Sequence, residues 1–156
     1  MQSTEDRRNF MIREAGPSDL GGLLSLYLHL HETSVPADGE QLRAVWAQIM
    51  ADPNHHVLVC EQDGQIVASC VCVVVPNLTR GLRPYALIEN VVTHADFRRR
   101  GLATRCLDAA REIARAAGCY KLMLLTGAKD EGTLNFYRRA GFDDGEKTAF
   151  IQRLDK

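Results

Sequence analysis

The spacing of apolar positions along the chain alternates between the period of a strand and the period of a helix. Runs of β-branched and apolar residues predict strands at 10–13, 56–61, 65–75, 86–93, 121–125, around 142 and over 147–154. Apolar residues three and four positions apart predict helices over 20–30, 42–49, 102–117 and 133–140. The chain is therefore expected to open with a strand and two helices, and then to continue with strands interrupted by single helices.

The connections between these segments predict the topology of the sheet. Asp63-Gly64 lies between two strand runs and favours a tight hairpin. The strands at 86–93 and 121–125 flank one helix, which predicts a crossover between parallel neighbours. The strand at 121–125 is almost entirely apolar, which predicts burial on both faces. We expect an α/β fold in a single domain over residues 1–156: a mixed, largely antiparallel central sheet with one parallel βαβ crossover and helices on both faces.

Composition is that of an ordinary globular domain. Hydrophobic residues make up 46% and charged residues 25% of the 156 positions. The formal net charge of −1 provides no bulk attraction to nucleic acid. No apolar run approaches the roughly 20 residues that span a bilayer, and residues 1–9 lack the apolar stretch of a signal peptide. We therefore expect a cytoplasmic protein with no nucleic-acid or membrane partner.

The cysteines and histidines do not have the spacing of a metal site. The five cysteines lie mostly in predicted strands or on an apolar helix face, where an unpaired thiol behaves as a small hydrophobic group. His29 and His31 are two positions apart on a predicted helix, so their rings point in different directions. We expect no metal.

The run Arg98-Arg99-Arg100-Gly101-Leu102-Ala103 joins a predicted strand to a predicted helix. A glycine at that junction lets a ligand approach the backbone closely, because no Cβ stands in the way. The first turn of the helix offers unpaired N–H groups and the positive end of the helix dipole. Together with three guanidinium groups, these features predict a cradle for a phosphate-bearing ligand.

Two motifs in this context resemble the GNAT superfamily of N-acetyltransferases. The acetyl-CoA signature of that family is Arg or Gln, two residues, Gly, one residue, then Gly or Ala, and the run from Arg98 to Ala103 fits it without a gap. A second family element, roughly Asn-Phe-Tyr-x-x-x-Gly-Phe, is matched by the run from Asn135 to Phe142. The two motifs lie on either side of the strand at 121–125, as in the family.

The resemblance implies an enzyme that uses acetyl-CoA as co-substrate. It implies that backbone N–H groups in the signature hold the pyrophosphate, and that the end of the preceding strand pairs with the pantetheine arm. Asp130 stands where many members carry a pantetheine-binding asparagine, seven residues before the motif tyrosine. The coenzyme-binding positions implied in this way are Val91, Val92, Thr93, Arg98, Arg99, Arg100, Gly101, Leu102, Ala103, Thr104, Asp130, Asn135 and Tyr137. Homodimers are frequent in that family, so a homodimer is a further expectation.

Amide formation from a thioester poses two proton problems. An alkylamine with a pKa near 10.4 is only about 0.1% neutral at pH 7, so attack requires deprotonation. The departing thiolate leaves more readily when it is protonated. Tyr137 matches the tyrosine that faces the coenzyme sulfur in the family, which makes it the candidate acid. Glu89 is the candidate base, acting directly or through water, because we place it on one strand face with Leu87 and Val91, where a carboxylate is costly unless used or paired. The alternative is that Glu89 only pairs with an arginine such as Arg83.

The loop at 76–84 precedes the strand that carries Glu89. It contains Arg80 and Arg83, which are candidates to hold an anionic group of the substrate, because loops of this kind carry binding residues. The alternatives are that both are solvated or that they contact a partner subunit. The segment from Gly118 to Lys121 and the helix that follows are locally similar to glucosamine-phosphate N-acetyltransferases.

The function expected is transfer of an acetyl group from acetyl-CoA to a primary amine of a small-molecule acceptor, by direct attack in a ternary complex. One alternative acceptor is a protein N-terminus or lysine. An alternative of another class is an acyl-CoA-binding sensor or assembly module without turnover. Release of free thiol with a panel of amines separates the enzyme from the sensor.

Overall fold

A computed structural model describes residues 9–155 of the chain. Its elements are β1 Met11–Glu14, α1 Leu20–Tyr27, α2 Glu40–Ala51, β2 His55–Gln62, β3 Gln65–Val75, the single turn α3 Thr79–Leu82, β4 Tyr85–Thr93, α4 Leu102–Ala116, β5 Leu122–Leu124 and α5 Glu131–Arg139. No helix in this part of the chain is long and apolar enough to cross a bilayer.

The five strands form one mixed sheet in the order β1-β2-β3-β4-β5. The first four pair antiparallel with their neighbours. β4 and β5 run parallel on either side of α4, which is the crossover predicted from the sequence. The turn at Asp63-Gly64, with φ of 50° and 81°, joins β2 to β3 as expected. The α/β fold class is confirmed.

Helices cover both faces of this sheet. On one face, α4 buries Cys106, Leu107 and Ala110 against β3 and β4. On the other face, α1 buries Leu23 and Leu26 against β2 and β3. α2 lies on this second face and has no buried residue. The two layers therefore differ sharply in how tightly they pack.

Two of the sequence predictions about the last third of the chain are wrong. The strand at 121–125 is not buried on both faces, since β5 lies at the edge of the sheet and its three residues are only half-buried. The strands expected around 142 and over 147–154 do not form, since residues 140–155 contain no strand. In both cases the apolar pattern is present, but no further strand lies beyond β5 in the described chain to pair with it.

Candidate functional site

A β-bulge interrupts β4 in its middle. Ser69 of β3 opposes Val92, whereas Val71 opposes Glu89, so Cys70 alone faces both Asn90 and Val91. The extra residue is Asn90, whose φ of 53° lies in the left-handed region that asparagine tolerates better than most residues. The bulge bends β4 and redirects its side chains.

β4 and β5 separate at the bulge. They pair only from Ala86 with Leu122 to Ile88 with Leu124, while β4 continues to Thr93. Beyond Ile88, the side of β4 that faces away from β3 has no strand partner in the described part of the chain. In an extended strand, every second residue points its N–H and C=O to that side. An opening with a free strand edge therefore lies between β4 and β5, at positions that include Val91, Val92 and Thr93.

The chain at the end of β4 forms an open helix N-terminus. After a 3₁₀ turn at Ala95–Phe97, Arg99 and Gly101 adopt left-handed φ of 63° and 75°, and α4 begins at Leu102. The first backbone N–H that bonds within α4 is that of Arg105, to the carbonyl of Gly101, so the preceding N–H groups have no partner inside the helix. A Cβ built at Gly101 would meet no atom within 4 Å. The glycine is required by its φ, and the space beside it is open to a ligand.

The side chains of Arg98 and Arg100 hold this loop in shape. Arg98 donates from Nε to the carbonyl of Thr93 and from Nη2 to the carbonyl of His29, both at 3.3 Å. Arg100 donates to the carbonyl of Asp96 at 3.4 Å. Each guanidinium group keeps further N–H donors beyond these contacts, so the guanidinium groups and the backbone N–H groups of this loop can both serve an anion.

A pair of histidines ties α1 to the same loop. The rings of His29 and His94 lie 4.0 Å apart at 35°. His29 Nδ1 accepts from the backbone N–H of Ala95, and His94 Nδ1 accepts from that of Asp96. The sequence indicated His29 only as a possible metal ligand and gave no signal of this contact, because the partner lies 65 positions away.

Tyr137 lies on the inner side of α5, against the core between the sheet and α4. Its ring makes edge contacts with Phe136 at 5.0 Å and Phe142 at 6.3 Å. Burial raises the pKa of its hydroxyl above the usual value, so the phenol keeps its proton at neutral pH. Such a group can donate a proton but is a poor base.

The polar residues Asp130 and Asn135 form hydrogen bonds within α5. Asp130 is the N-cap, and its carboxylate accepts from the backbone N–H of Thr133 at 2.9 Å. That hydrogen bond lowers the pKa of Asp130. The Asn135 side chain accepts from Arg138 at 2.8 Å. Both residues are exposed in this structure, and neither is turned into the core.

The bulge corrects the predicted surroundings of Glu89. Val91 packs with Ile88 on the α4 side of the sheet, so Glu89 and Val91 do not share a face. Glu89 is exposed and makes no ion pair with any described residue, Arg83 included. The carboxylate is therefore not costly to the fold, but it stands directly before the bulge, beside the opening.

Tyr27 is a residue of this region that the sequence analysis missed. It packs against the residues that α1 buries on the sheet, Leu23 and Leu26 among them. Burial raises the pKa of its hydroxyl, and a hydrogen bond with the side chain of Asn90 partly offsets that rise. Its sequence context is a repeat of leucines at helical spacing, which predicts a core position and gives no signal of contact with the bulge.

Arg80 and Arg83 gather at the opposite end of β4. Their guanidinium carbons lie 5.5 Å and 5.8 Å from the centre of the Tyr120 ring. The ammonium of Lys121 lies 5.3 Å from the same ring and 5.2 Å from the ring of Tyr85. Three cations and two tyrosines thus form one basic cluster. The sequence predicted both arginines but not the tyrosines or the lysine.

The backbone next to this cluster is strained. Arg80, Gly81 and Leu82 have consecutive left-handed φ values of 56°, 69° and 65°. Such conformations cost free energy in residues other than glycine and are concentrated at binding sites. Asn77 holds the turn by donating to the carbonyls of Thr79 and Arg83.

Comparison with known proteins agrees with this geometry. The family model described as the acetyltransferase (GNAT) family matches residues 23–142. The chain is 33% identical over 150 residues to glucosamine 6-phosphate N-acetyltransferase of Trypanosoma brucei brucei, with 92% of this chain and 94% of the relative covered.

Solved structures show the same fold. An acetyltransferase of Trypanosoma brucei is 30% identical with a TM-score of 0.79, covering 92% of this chain and 99% of the other. Glucosamine-6-phosphate N-acetyltransferase of Arabidopsis thaliana has a TM-score of 0.83 at 22% identity, covering 94% and 99%. At that lower identity the likeness concerns the fold alone.

Proposed function

The chain belongs to the acetyltransferase (GNAT) family and is an acyltransferase, and we propose that it transfers the acetyl group of acetyl-CoA to a primary amine of a small, anionic acceptor. One observation carries the proposal: the open N-terminus of α4 and the opening between β4 and β5 lie at the same end of β4. An elongated molecule with a diphosphate at one end and an extended arm fits both together.

The residues present suit the coenzyme. The N–H groups of residues 101–104 at the start of α4 supply donors for the diphosphate, and the open space at Gly101 admits it. The free edge of β4 at Val91 and Thr93 supplies backbone groups for the amides of the pantetheine arm. Acetyl-CoA supplies the thioester whose acyl group is transferred. Asp130 at the N-cap and Asn135 within α5 are exposed, and we expect both to contact the coenzyme, as the family resemblance implies.

Two side chains handle protons in this scheme. Tyr137 holds its proton at neutral pH, because burial raises its pKa, and it donates that proton to the departing sulfur. Glu89, exposed before the bulge, accepts a proton from the attacking ammonium through a water molecule. The amine then attacks directly, with both substrates bound at once.

The basic cluster indicates the class of acceptor. Side chains alternate between the two faces of β4 before the bulge. Ala86 and Ile88 point to one face, and the other face carries Tyr85, Leu87 and Glu89. Four strand residues span about 14 Å, so the cluster around Tyr85 lies within reach of a small molecule whose amine is near Glu89. An acceptor with an amine and a phosphate matches this arrangement. The relative from Trypanosoma brucei brucei is named for such a compound, glucosamine 6-phosphate, and we place this chain among enzymes of amino-sugar phosphates.

We place the reaction in the cytoplasm. All five cysteines are unpaired, and burial raises the pKa of the Cys70 thiol to about 12. Unpaired, unreactive thiols fit a reducing compartment.

The experiment is a steady-state assay of thiol release with acetyl-CoA and matched acceptors. Glucosamine 6-phosphate should be acetylated with a much lower KM than glucosamine. Arg83→Ala should raise KM for the phosphorylated acceptor by at least about tenfold, the cost of one charged hydrogen bond, and leave that for glucosamine nearly unchanged. Arg115→Ala, which removes an exposed arginine paired with Glu112 on α4, is the control and should alter neither.

The outcomes separate the parts of the proposal. Equal KM values for the two acceptors would remove the anionic group from the specificity. Tight binding of acetyl-CoA with no thiol release from any amine or peptide would instead support an acyl-CoA sensor. Acetylation of a peptide N-terminus or lysine in preference to small amines would change the acceptor class.

A further inference from the structure

The two stacked histidines, His29 and His94, both use a ring nitrogen as a hydrogen-bond acceptor. His29 Nδ1 accepts from the backbone N–H of Ala95 at 3.3 Å, and His94 Nδ1 accepts from that of Asp96 at 3.1 Å. A backbone N–H can only donate, so Nδ1 of each ring carries no proton and the proton of the neutral ring is on Nε2. The two hydrogen bonds therefore exist only while both rings are neutral.

The histidine pair is one end of a row of side chains along the loop at 94–101. The ring of His94 makes an edge contact with Phe97 at 5.4 Å, and the guanidinium carbon of Arg100 lies 5.1 Å from the centre of the Phe97 ring. This loop leads directly into Gly101 and the first turn of α4. The shape of the loop therefore decides where the N–H groups at the start of α4 are presented.

His29 holds the same loop from outside it. It lies just after α1 and contacts the loop through two different groups. Its ring accepts from Ala95, and its backbone carbonyl accepts from Arg98 at 3.3 Å. The second contact does not involve the side chain, so a substitution of His29 removes the ring contact alone.

The charged groups around the two rings do not replace these hydrogen bonds. The Asp96 carboxylate lies 4.0 Å from Nδ1 of His94, but it is 84% exposed, so water screens its attraction for a protonated ring. Arg98, at the carbonyl of the other histidine, would be repelled by a protonated ring. Asp19 lines the same cavity of about 440 Å³ as both histidines, together with uncharged residues of the β2–β3 turn, and it is already paired with Arg13 at 2.6 Å.

We propose that His29 and His94 are positioning residues for the coenzyme, whose neutral rings hold the loop at 94–101 in the shape that presents backbone N–H groups to the diphosphate. The inference rests on the proposed function, since the ligand held is acetyl-CoA. A ring that takes up a proton at Nδ1 releases its backbone partner, and the loop must then be ordered again when the coenzyme binds. Histidine is the side chain that ordinarily takes up a proton between pH 8 and pH 5. The affinity for acetyl-CoA should therefore fall as the pH falls.

Substitutions of His29 separate the acceptor from the ring. His29→Leu removes the acceptor and should weaken acetyl-CoA binding by about fivefold at pH 8, the contribution of one neutral hydrogen bond. His29→Asn places an amide oxygen at the position of Nδ1 and should restore most of that affinity. His31→Leu is the matched control, because His31 lies two positions further on and its side chain is 73% exposed; it should bind like the wild type. Isothermal titration calorimetry measures the three affinities.

The pH profile of binding distinguishes this role from simple packing. The double variant His29→Asn, His94→Asn keeps two acceptors that take up no proton in this range, and asparagine is also a favourable N-cap for the 3₁₀ turn. Between pH 8 and about pH 5.5, the wild-type protein should lose at least about fivefold more affinity than the double variant. Protonation of the coenzyme itself is the same in both measurements and cancels from the comparison.

Nuclear magnetic resonance of the free protein tests the hydrogen bonds without any ligand. At pH 8 both rings should carry their proton on Nε2, and the amides of Ala95 and Asp96 should be protected from exchange with water. His29→Leu should remove the protection at Ala95 and leave that at Asp96.

The outcomes separate this inference from the function on which it rests. A wild-type protein that does not bind acetyl-CoA would overturn the proposed function and the inference together. If the wild type binds acetyl-CoA, three results would each overturn the inference alone: full affinity in His29→Leu, a double variant with the pH profile of the wild type, or a wild-type affinity that rises as the pH falls. The last result would show that the rings act as cations toward the diphosphate.

Discussion

The helices on the two faces of the sheet bury their side chains to different extents. On one face, the amphipathic helix α4 buries Leu102, Cys106, Leu107, Ala110 and Ala114, all at most 4% exposed. On the other face, α1 buries two leucines and α2 buries none. The residues between α1 and α2, at 31–38, are all exposed.

This difference in packing matches the two roles that we propose, coenzyme binding at the α4 layer and acceptor binding at the α1–α2 layer. The loop that we propose for the coenzyme leads into the first turn of α4, so the well-packed layer holds its N–H groups in a fixed arrangement, as preorganised anion binding requires. The α1–α2 layer covers the face on which Glu89, Leu87 and Tyr85 lie. Loosely packed segments open at low free-energy cost, and an acceptor-binding surface can use that freedom.

The largest effect is expected at the loop that begins the well-packed layer. Gly101→Glu should lower the affinity for acetyl-CoA by at least about 1000-fold, or ~4 kcal/mol, because a side chain and a negative charge would occupy the anion site. Isothermal titration calorimetry measures the affinity. Gly118→Glu is the matched control, since Gly118 at the other end of α4 also has a positive φ of 78° and open space around it. Equal affinities of the two variants would place the anion site elsewhere.

The packing of the two layers is compared directly by truncation. Leu107→Ala on α4 should lower the free energy of unfolding by about 3 kcal/mol, because it leaves a cavity in a closed core. Ile49→Ala on α2 should cost about 1 kcal/mol, since Ile49 is only half-buried. Urea denaturation measures both. Similar losses at the two sites would show that the layers are equally well packed.

Replacement of Tyr137 should lower the rate of the chemical step without weakening the binding of acetyl-CoA. Tyr137→Phe should lower kcat by about 100-fold while acetyl-CoA binds with unchanged Kd. Because burial raises the pKa of Tyr137 above 10.0, its proton is retained as the pH rises, and kcat of the wild-type enzyme should not fall from this cause below pH 10. Tyr120→Phe removes a hydroxyl of the basic cluster, away from the opening, so it should keep full kcat, with any effect confined to KM for the acceptor. An unchanged kcat in Tyr137→Phe would exclude the tyrosine as the acid.

The smallest effect is expected at the start of α5. Asp130→Ala should destabilise the protein slightly, less than Ile49→Ala, because the N-cap hydrogen bond to Thr133 is lost at an exposed helix end. Asp130→Asn preserves the cap and introduces the residue common in the family. Its thermal midpoint should match the wild type, so any gain in affinity for acetyl-CoA would reveal a contact with the pantetheine arm. A wild-type midpoint for Asp130→Ala would show that the cap is unimportant.

The sequence predicted those parts of the site that local chemistry determines. Gly101 and the run before it, the amphipathic face of α4, and the aromatic motif of α5 all depend on residues close together in the chain. The structure forms the predicted helices from Leu102 and from Glu131. The resemblance to the family rested on these same residues, and the family is confirmed.

The parts that the sequence did not predict depend on distant pairings. The bulge at Asn90 arises from the register between β3 and β4, while the apolar alternation of Leu87, Glu89 and Val91 suggested an unbroken strand face. Lys121 joins the basic cluster only because β5 lies beside β4. The apolar pattern at 147–154 predicted a strand, but no pattern within one chain can show whether a partner strand is available.

A crystal structure of the protein with bound coenzyme A would show whether the N-terminus of α4 holds the diphosphate. We expect diphosphate oxygens within hydrogen-bonding distance of the backbone N–H groups at residues 99–104, and the pantetheine arm alongside Val91 and Thr93 of β4. A diphosphate bound to other residues, with the amides around Gly101 covered by protein, would contradict it.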